Sequence, residues 1–279
     1  MKLQGVFSKT MLGFGFVFLY VPILSMVFFS FNSSKLVTVW AGFSTKWYVE
    51  LFHDSQMLNA AKLSIKIASL NATGAVILGT VAGLVLARFG RFKGRTLLSG
   101  MTTAPLVMPE VITGLSLLLL FVAMEQIFHW PEGRGITTIV IAHITFSMAY
   151  VTVVVQSRLS TLDESLEEAA MDLGAKPAKV FFLITLPIIM PAILAGWLLA
   201  FTLSWDDLVI TSFVNGPGSS TLPVLIFSKV RLGVSPDINA LATILVLIVA
   251  IGIVTAGILM QRQQKRRELD VQQAIAANQ

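Results

Sequence analysis

The run Glu168-Ala169-Ala170-Met171-Asp172-Leu173-Gly174 and, after nine intervening residues, Ile184-Thr185-Leu186-Pro187 occupy a charged segment between two long apolar stretches. Upstream, Leu159, Leu162, Leu166, Ala169 and Leu173 recur at spacings of three and four, the periodicity of one apolar stripe along a helix. Asp163, Glu164, Glu167 and Asp172 fall on the opposite side. Gly174 supplies the backbone freedom that commonly ends a helix, and Pro177 suits the first turn of the next, which carries Val180, Phe181 and Ile184. The segment therefore reads as helix, tight turn, helix.

Outward from this loop the chain is apolar, with 55% hydrophobic residues, 13% charged residues and a mean hydropathy of +0.81. Such a balance lies far from a soluble domain. Six stretches reach the roughly 20 apolar residues that a spanning helix needs: about Met11 to Phe31, Ala61 to Ala87, Leu97 to Met124, Ile136 to Gln156, Ile188 to Val214 and Ala240 to Met260. They leave no room for a separate soluble domain, so residues 1–279 read as a single transmembrane domain. Lys2 and Lys9 precede the first span, but its apolar run is too long for a signal peptide and no small-x-small site follows, so an uncleaved signal anchor is expected.

Lysine and arginine orient the spans. With the N-terminus inside, thirteen of the 20 basic residues are cytoplasmic, including the clusters Arg88 to Arg95 and Arg262 to Arg267. Both termini and the Glu168 loop are then expected in the cytoplasm. The formal charge of +5 needs no nucleic-acid partner, because the basic tail rests against the acidic inner leaflet. Zero cysteines exclude disulfides and thiolate chemistry. His53, His129 and His143 are scattered without metal-ligand spacing, and Gly90 to Thr96 lacks the spacing and the lysine of a phosphate-binding loop. The chain itself is expected to bind no cofactor and to hydrolyse no nucleotide.

Three carboxylates fall inside the predicted spans, Glu110, Asp206 and Asp207. Each costs roughly 2.5 to 3.5 kcal/mol at the bilayer centre even on the milder scale. Gly196, Ala200, Ser204, Asp207 and Thr211 share one small, polar face of a continuous helix. Asp206 would lie about 100° away, where it either pairs with a neighbour or joins the path. Glu110 follows Pro105 and Pro109 and precedes Gly114, residues tolerated in a membrane helix where freed backbone meets protein or water. Two readings stay open: Glu110, Asp206, Asp207, Ser204 and Thr211 line a path for a cation, or the acids bond helix to helix.

The spacing Glu-Ala-Ala, three residues, Gly, nine residues, Ile-x-Leu-Pro resembles the signature loop of permease subunits of binding-protein-dependent ABC importers, and all seven fixed positions match. The runs Phe31 to Lys35, Pro105 to Gly114, Asp206 to Ile210 and Gly216-Pro217-Gly218 resemble the spermidine and putrescine permeases over nearly the whole chain. The resemblance implies an all-α membrane protein of six transmembrane helices with the type I importer (MetI-like) fold, its loop 158–187 holding a cytoplasmic coupling helix. It assigns Glu167, Glu168, Ala169, Ala170, Asp172, Gly174, Ala175, Lys176 and Pro177 to docking on a cytoplasmic ATPase. It further implies a heterodimer with a second, related permease subunit, two ATPase subunits carrying ATP-Mg, a periplasmic polyamine-binding protein, contact with membrane lipid, and residence in a bacterial inner membrane. The expected activity is ATP-driven import of putrescine, with a spermidine-preferring or other cation permease as the alternative. Putrescine is a dication, and a water-stripped dication needs anionic partners.

Two other classes compete for the same residues. An intramembrane aspartyl protease needs two facing carboxylates, whereas Asp206 and Asp207 are sequence neighbours outside any Gly-x-Gly-Asp setting. An ion-coupled secondary transporter leaves the Glu168 loop without a purpose. In the outer segments, Trp40, Trp47 and Tyr48 are expected at the headgroup boundary, with contact to the binding protein as the alternative, and Leu222, Leu225, Ile226 and Lys229 suggest a short amphipathic helix.

Overall fold

Apolar chain in lipid must satisfy its backbone polar groups internally, which leaves helices as the spanning element for runs of this length. The computed structural model, which describes residues 2–36, 39–233 and 235–277, follows that rule. In chain order the helices are α1 (Lys2–Phe29), α2 (Lys46–His53), α3 (Ser55–Arg88), α4 (Arg95–Val107), α5 (Glu110–Phe128), α6 (Ile136–Ser160), α7 (Ser165–Asp172), α8 (Pro177–Val180), a π-turn (Phe181–Thr185), α9 (Leu186–Trp205), α10 (Val209–Val214), α11 (Leu222–Leu232) and α12 (Pro236–Ala277). Among the described residues the sole β feature is an antiparallel bridge between Asn32 and Phe43. Six helical segments are long and apolar enough to cross a membrane: Phe7–Phe29, Ser55–Arg88, Glu110–Phe128, Ile136–Ser160, Pro177–Trp205 and Pro236–Thr255.

Three expectations about continuity are corrected. The third span is not one helix from Leu97 to Met124, because α4 stops at Val107 and α5 begins at Glu110. Pro109 disfavours α geometry in the residue before it and offers no N–H, and Met108 is accordingly extended at φ −80°, ψ 137°. The fifth apolar run breaks likewise, since α9 ends at Trp205 and α10 starts at Val209. The stripe from Leu159 to Leu173 is divided too: Leu159 ends α6 fully buried, whereas Leu166 and Leu173 belong to the α7 segment and are exposed.

The chain divides into two compact units, Met1–Ser55 with Lys229–Gln279, and Gln56–Ser228. In the first, α1 and α2 both pack on α12. The loop between α1 and α2 is organised by Asn32, a fully buried side chain. Its amide donates to the carbonyls of Leu36 and Val39, and its oxygen accepts from the backbone N–H of Ser34 and Ala41. Trp47 donates its indole N–H to the Asn32 carbonyl at 2.6 Å and is 4% exposed. Trp47 is thus an interior residue of this loop and not a headgroup anchor, because its one polar atom finds a protein acceptor. Lys229 Nζ meets Asp54 at 2.8 Å and Asp237 at 3.4 Å. Burial opposes the ammonium charge, but the Asp54 and Asp237 carboxylates outweigh it and hold Lys229 above its usual range.

In the second unit α6 is the central helix, buried along its length from Thr138 to Leu159. Toward one end Ile139, Ala142 and Phe146 pack with Ile67, Leu117, Phe121, Ile210 and Val214. Toward the other, Val151, Val155 and Leu159 pack with Ala72, Ala75, Ile189 and Ala200. Lipid is as apolar as leucine, so helix association here relies on close backbone approach rather than on expulsion of water. Gly79 and Gly83 of α3 provide that approach: a Cβ on Gly79 would lie 2.8 Å from Val151, and one on Gly83 would lie 3.2 Å from the backbone at Gln156. Gly196 and Ala200 on α9 perform the same task, Gly196 against Val151. The small face of α9 is therefore a helix contact. At its crossing Asn71 of α3 donates to the Ala200 carbonyl at 2.8 Å and to Ser147 of α6 at 3.2 Å.

Candidate coupling loop and membrane carboxylates

The Glu168 loop forms as its residues dictate. Helix α7 ends at Asp172, and Gly174 takes the left-handed conformation at φ +84°. The Gly174 N–H donates to the Met171 carbonyl at 2.8 Å and the Ala175 N–H to the Ala170 carbonyl at 3.0 Å, the paired bonds of a Schellman end. Lys176 is extended ahead of Pro177, which opens α8. Glu168, Ala169, Asp172, Gly174, Lys176 and Pro177 are exposed, and Ala170 and Ala175 are half-buried. Helix α7 buries none of its residues, and Leu173 beside it is 90% exposed. Asp163, which accepts the Ser165 N–H at 3.0 Å, has its carboxyl held below the usual range by that backbone bond.

Glu167 behaves differently from its neighbours. It points inward, where one oxygen accepts from Thr185 of the π-turn at 2.8 Å and the other lies 3.1 Å from Nε of Arg88, in the last turn of α3. The same guanidinium meets Glu164 at 2.8 Å. Sequence reasoning placed Glu167 among the outward docking residues and gave Arg88 only a role in orientation. No local pattern ties residues so far apart in the chain.

The carboxylates separate into two environments. Glu110 is exposed at the first residue of α5, and Asp206 is exposed in the α9–α10 break. Asp207 is packed inside, its side chain 8% exposed. One oxygen accepts the Thr211 N–H at 2.7 Å and the Thr211 hydroxyl at 2.6 Å, and the other accepts the Ile210 N–H at 3.3 Å, which closes the start of α10. His143 completes the group, with Nε2 3.1 Å from Asp207 and 3.0 Å from Thr211, and Nδ1 2.6 Å from Ser204. An ionised carboxylate can only accept, so Nε2 is the ring nitrogen placed to donate to Asp207, and Nδ1 faces the Ser204 hydroxyl.

Asp207, expected on the path-lining face, is paired inside, and Asp206, for which pairing was one of two readings, is exposed. The reason is the end of α9 at Trp205, which removes the continuous helix on which the 100° offset was counted. Ser204 and Thr211 do come together with Asp207, but as buried partners of His143. Metal-ligand spacing gives no sign of His143; its signal in the sequence is an ionisable ring inside an apolar span, which marks a site by default.

With this geometry in hand, comparison with known proteins is direct. Residues 79–269 match the family described as binding-protein-dependent transport system inner membrane component. The chain is 63% identical over 262 residues to the putrescine transport system permease protein PotI of Escherichia coli K12, covering 93% of this chain and 92% of that one. It is 39% identical over 257 residues to the spermidine/putrescine transport system permease protein PotC of the same organism, covering 92% and 94%. Among solved structures, a bacterial alginate ABC transporter in complex with an alginate pentasaccharide-bound periplasmic protein aligns with a TM-score of 0.67 at 17% identity, covering 91% of each chain. That last likeness carries the fold alone, and the first three carry the family. The chain belongs to the binding-protein-dependent transport system inner membrane components: it is a multi-pass, all-helical permease subunit of an ABC importer, a transport subunit and not an enzyme.

Proposed function

We propose that this permease imports putrescine. The observation that carries the reading is 63% identity across 93% of the chain to a putrescine permease. The chain forms one half of the path and a second, related permease subunit the other. A periplasmic polyamine-binding protein delivers substrate from outside. Two cytoplasmic ATPase subunits, which hold the ATP-Mg, seat on the exposed apolar and acidic surface of Glu168, Leu166, Met171 and Leu173. The N- and C-termini lie on that same cytoplasmic side, where the basic stretch from Arg262 meets anionic lipid.

Putrescine carries two ammonium groups and must exchange water for anions or dipoles as it crosses. Glu110 and Asp206, each exposed beside a helix break, are suited to that exchange. Asp207, Ser204 and Thr211 bond with His143 and keep the α9–α10 break in place. ATP-driven closure of the ATPases displaces α7, and α7 tilts the spans it joins.

The test is uptake of radiolabelled putrescine into vesicles holding the reconstituted complex, with unlabelled spermidine as competitor. Import should require ATP, survive an ionophore, and drop several-fold in Asp206→Asn and Glu110→Gln with the complex intact. Preference for spermidine would reassign the substrate, and uptake that follows an ion gradient without ATP would remove the ABC mechanism.

A further inference from the structure

Motion of α7 has a covalent route to α6, through residues 161–164, and to α9, through the π-turn. It has no short covalent route to α3, which ends 76 residues before Glu164. We propose that Arg88 is the positioning residue that joins α3 to the coupling loop, held by Glu167, so that one displacement of α7 drives two spans together. The proposal rests on the docking of α7 to the ATPase and adds how the push spreads once received.

Three observations support it. The Arg88 and Glu167 side chains are only 11% and 18% exposed, so their pairing is weakly screened, whereas Glu164 is 58% exposed and its contact with Arg88 counts for less. Glu167 is engaged on both sides: one oxygen accepts from a terminal nitrogen of Arg88 at 3.4 Å and from the Thr185 hydroxyl at 2.8 Å, and the other lies 3.1 Å from Arg88 Nε as an ion pair. It therefore ties the end of α3 and the π-turn before α9 to the same turn of α7. A π-turn is where a helix accommodates an extra residue and readjusts, so the second bond lands on a deformable joint. Finally, the α3 end is tied to α4. Arg95, at the start of α4, donates to the carbonyls of Leu86 and Gly90, which closes the last turn of α3 and binds α4 to it. Force entering at Arg88 thus moves α3 and α4 as one piece, and α4 leads to the Met108–Pro109 break beside Glu110.

The test compares uptake per ATP hydrolysed in reconstituted full complexes carrying Arg88→Gln, Arg88→Glu, Glu167→Arg, and the last two combined. Docking is monitored in each by cross-linking from Leu173→Cys to the ATPase. With cross-linking retained, Arg88→Gln should lower uptake per ATP roughly fivefold or more, a usual factor for coupled sites. The combined exchange should regain a substantial part of what either single charge reversal loses. Normal uptake per ATP in Arg88→Gln, or loss of hydrolysis in proportion to uptake, overturns the proposal, the latter because it marks a merely structural role. Absence of the Leu173 cross-link in the otherwise unaltered complex brings down the docking reading itself, and the Arg88 proposal with it.

Discussion

At the scale of single residues, Asp206 and Asp207 show how adjacent identical side chains acquire different tasks. Asp207 receives two backbone N–H groups, a hydroxyl and the His143 ring, and leaving a buried partner unpaired costs about 1–3 kcal/mol. Asp207→Asn and His143→Leu should each destabilise the purified complex by about that amount, seen as a lower melting temperature in detergent. Asp206→Asn should leave the melting curve in place and reduce uptake. Equal melting losses in both aspartate variants would contradict the division between buried and open carboxylate. A residue-level reading could name both acids but could not rank them, because which one is buried depends on where α9 stops and on a histidine some 60 positions upstream.

At the scale of elements, glycine and proline decide where helices meet and where they break. Gly79→Val would press a branched side chain into Val151 and the Met148 carbonyl, and overpacking of this kind costs about 1–3 kcal/mol. Thermal unfolding of the variant should show the loss, while Gly13→Val on α1, where nothing lies within 4 Å, should not. Gly174→Val forces a β-branched residue to φ +84°, a strain of about 1–3 kcal/mol, and opens space to nothing that compensates. Expected is a complex that assembles, and whose ATPase subunits still hydrolyse ATP, but that imports several-fold less; normal import would mean the shape of this turn is immaterial. The helix, turn, helix around Gly174 was legible because capping residues act within a few positions. The stripe from Leu159 to Leu173 misled for a related reason: periodicity continues across residues 161–164 although the helix does not.

At the scale of the whole molecule, the first span keeps 0% of its apolar window buried within the chain, against 56% for α6. Helix α1 thus contributes little to the interior of its own unit, and α6 serves as the interior post of the other. Within the unit that contains α1 and α12, the Lys229 cluster gives a pH signature. Its folded value lies above the ordinary 10.5, so its contribution is complete below about that pH and is lost as alkalinity rises through the higher folded value. Melting temperature should therefore fall above pH 10.5 more steeply in the native protein than in Lys229→Met. Parallel curves would show that the two aspartates do not favour the ammonium.

Composition and the lengths of the apolar runs determined six helical spans, and the capping residues a helix, turn, helix loop, since each rests on local rules of hydrogen bonding; the permease assignment came from the resemblance of that loop to a family, which the comparisons bear out. Those rules act over one helix and need no partner from elsewhere in the chain. Only the tertiary structure decided that Glu167 turns inward to Arg88 and Thr185, that Trp47 is interior, and that His143 selects Asp207 over Asp206. Each of those outcomes depends on side chains brought together from separate helices, where distance in space and exclusion of solvent, rather than position in the chain, set the energy.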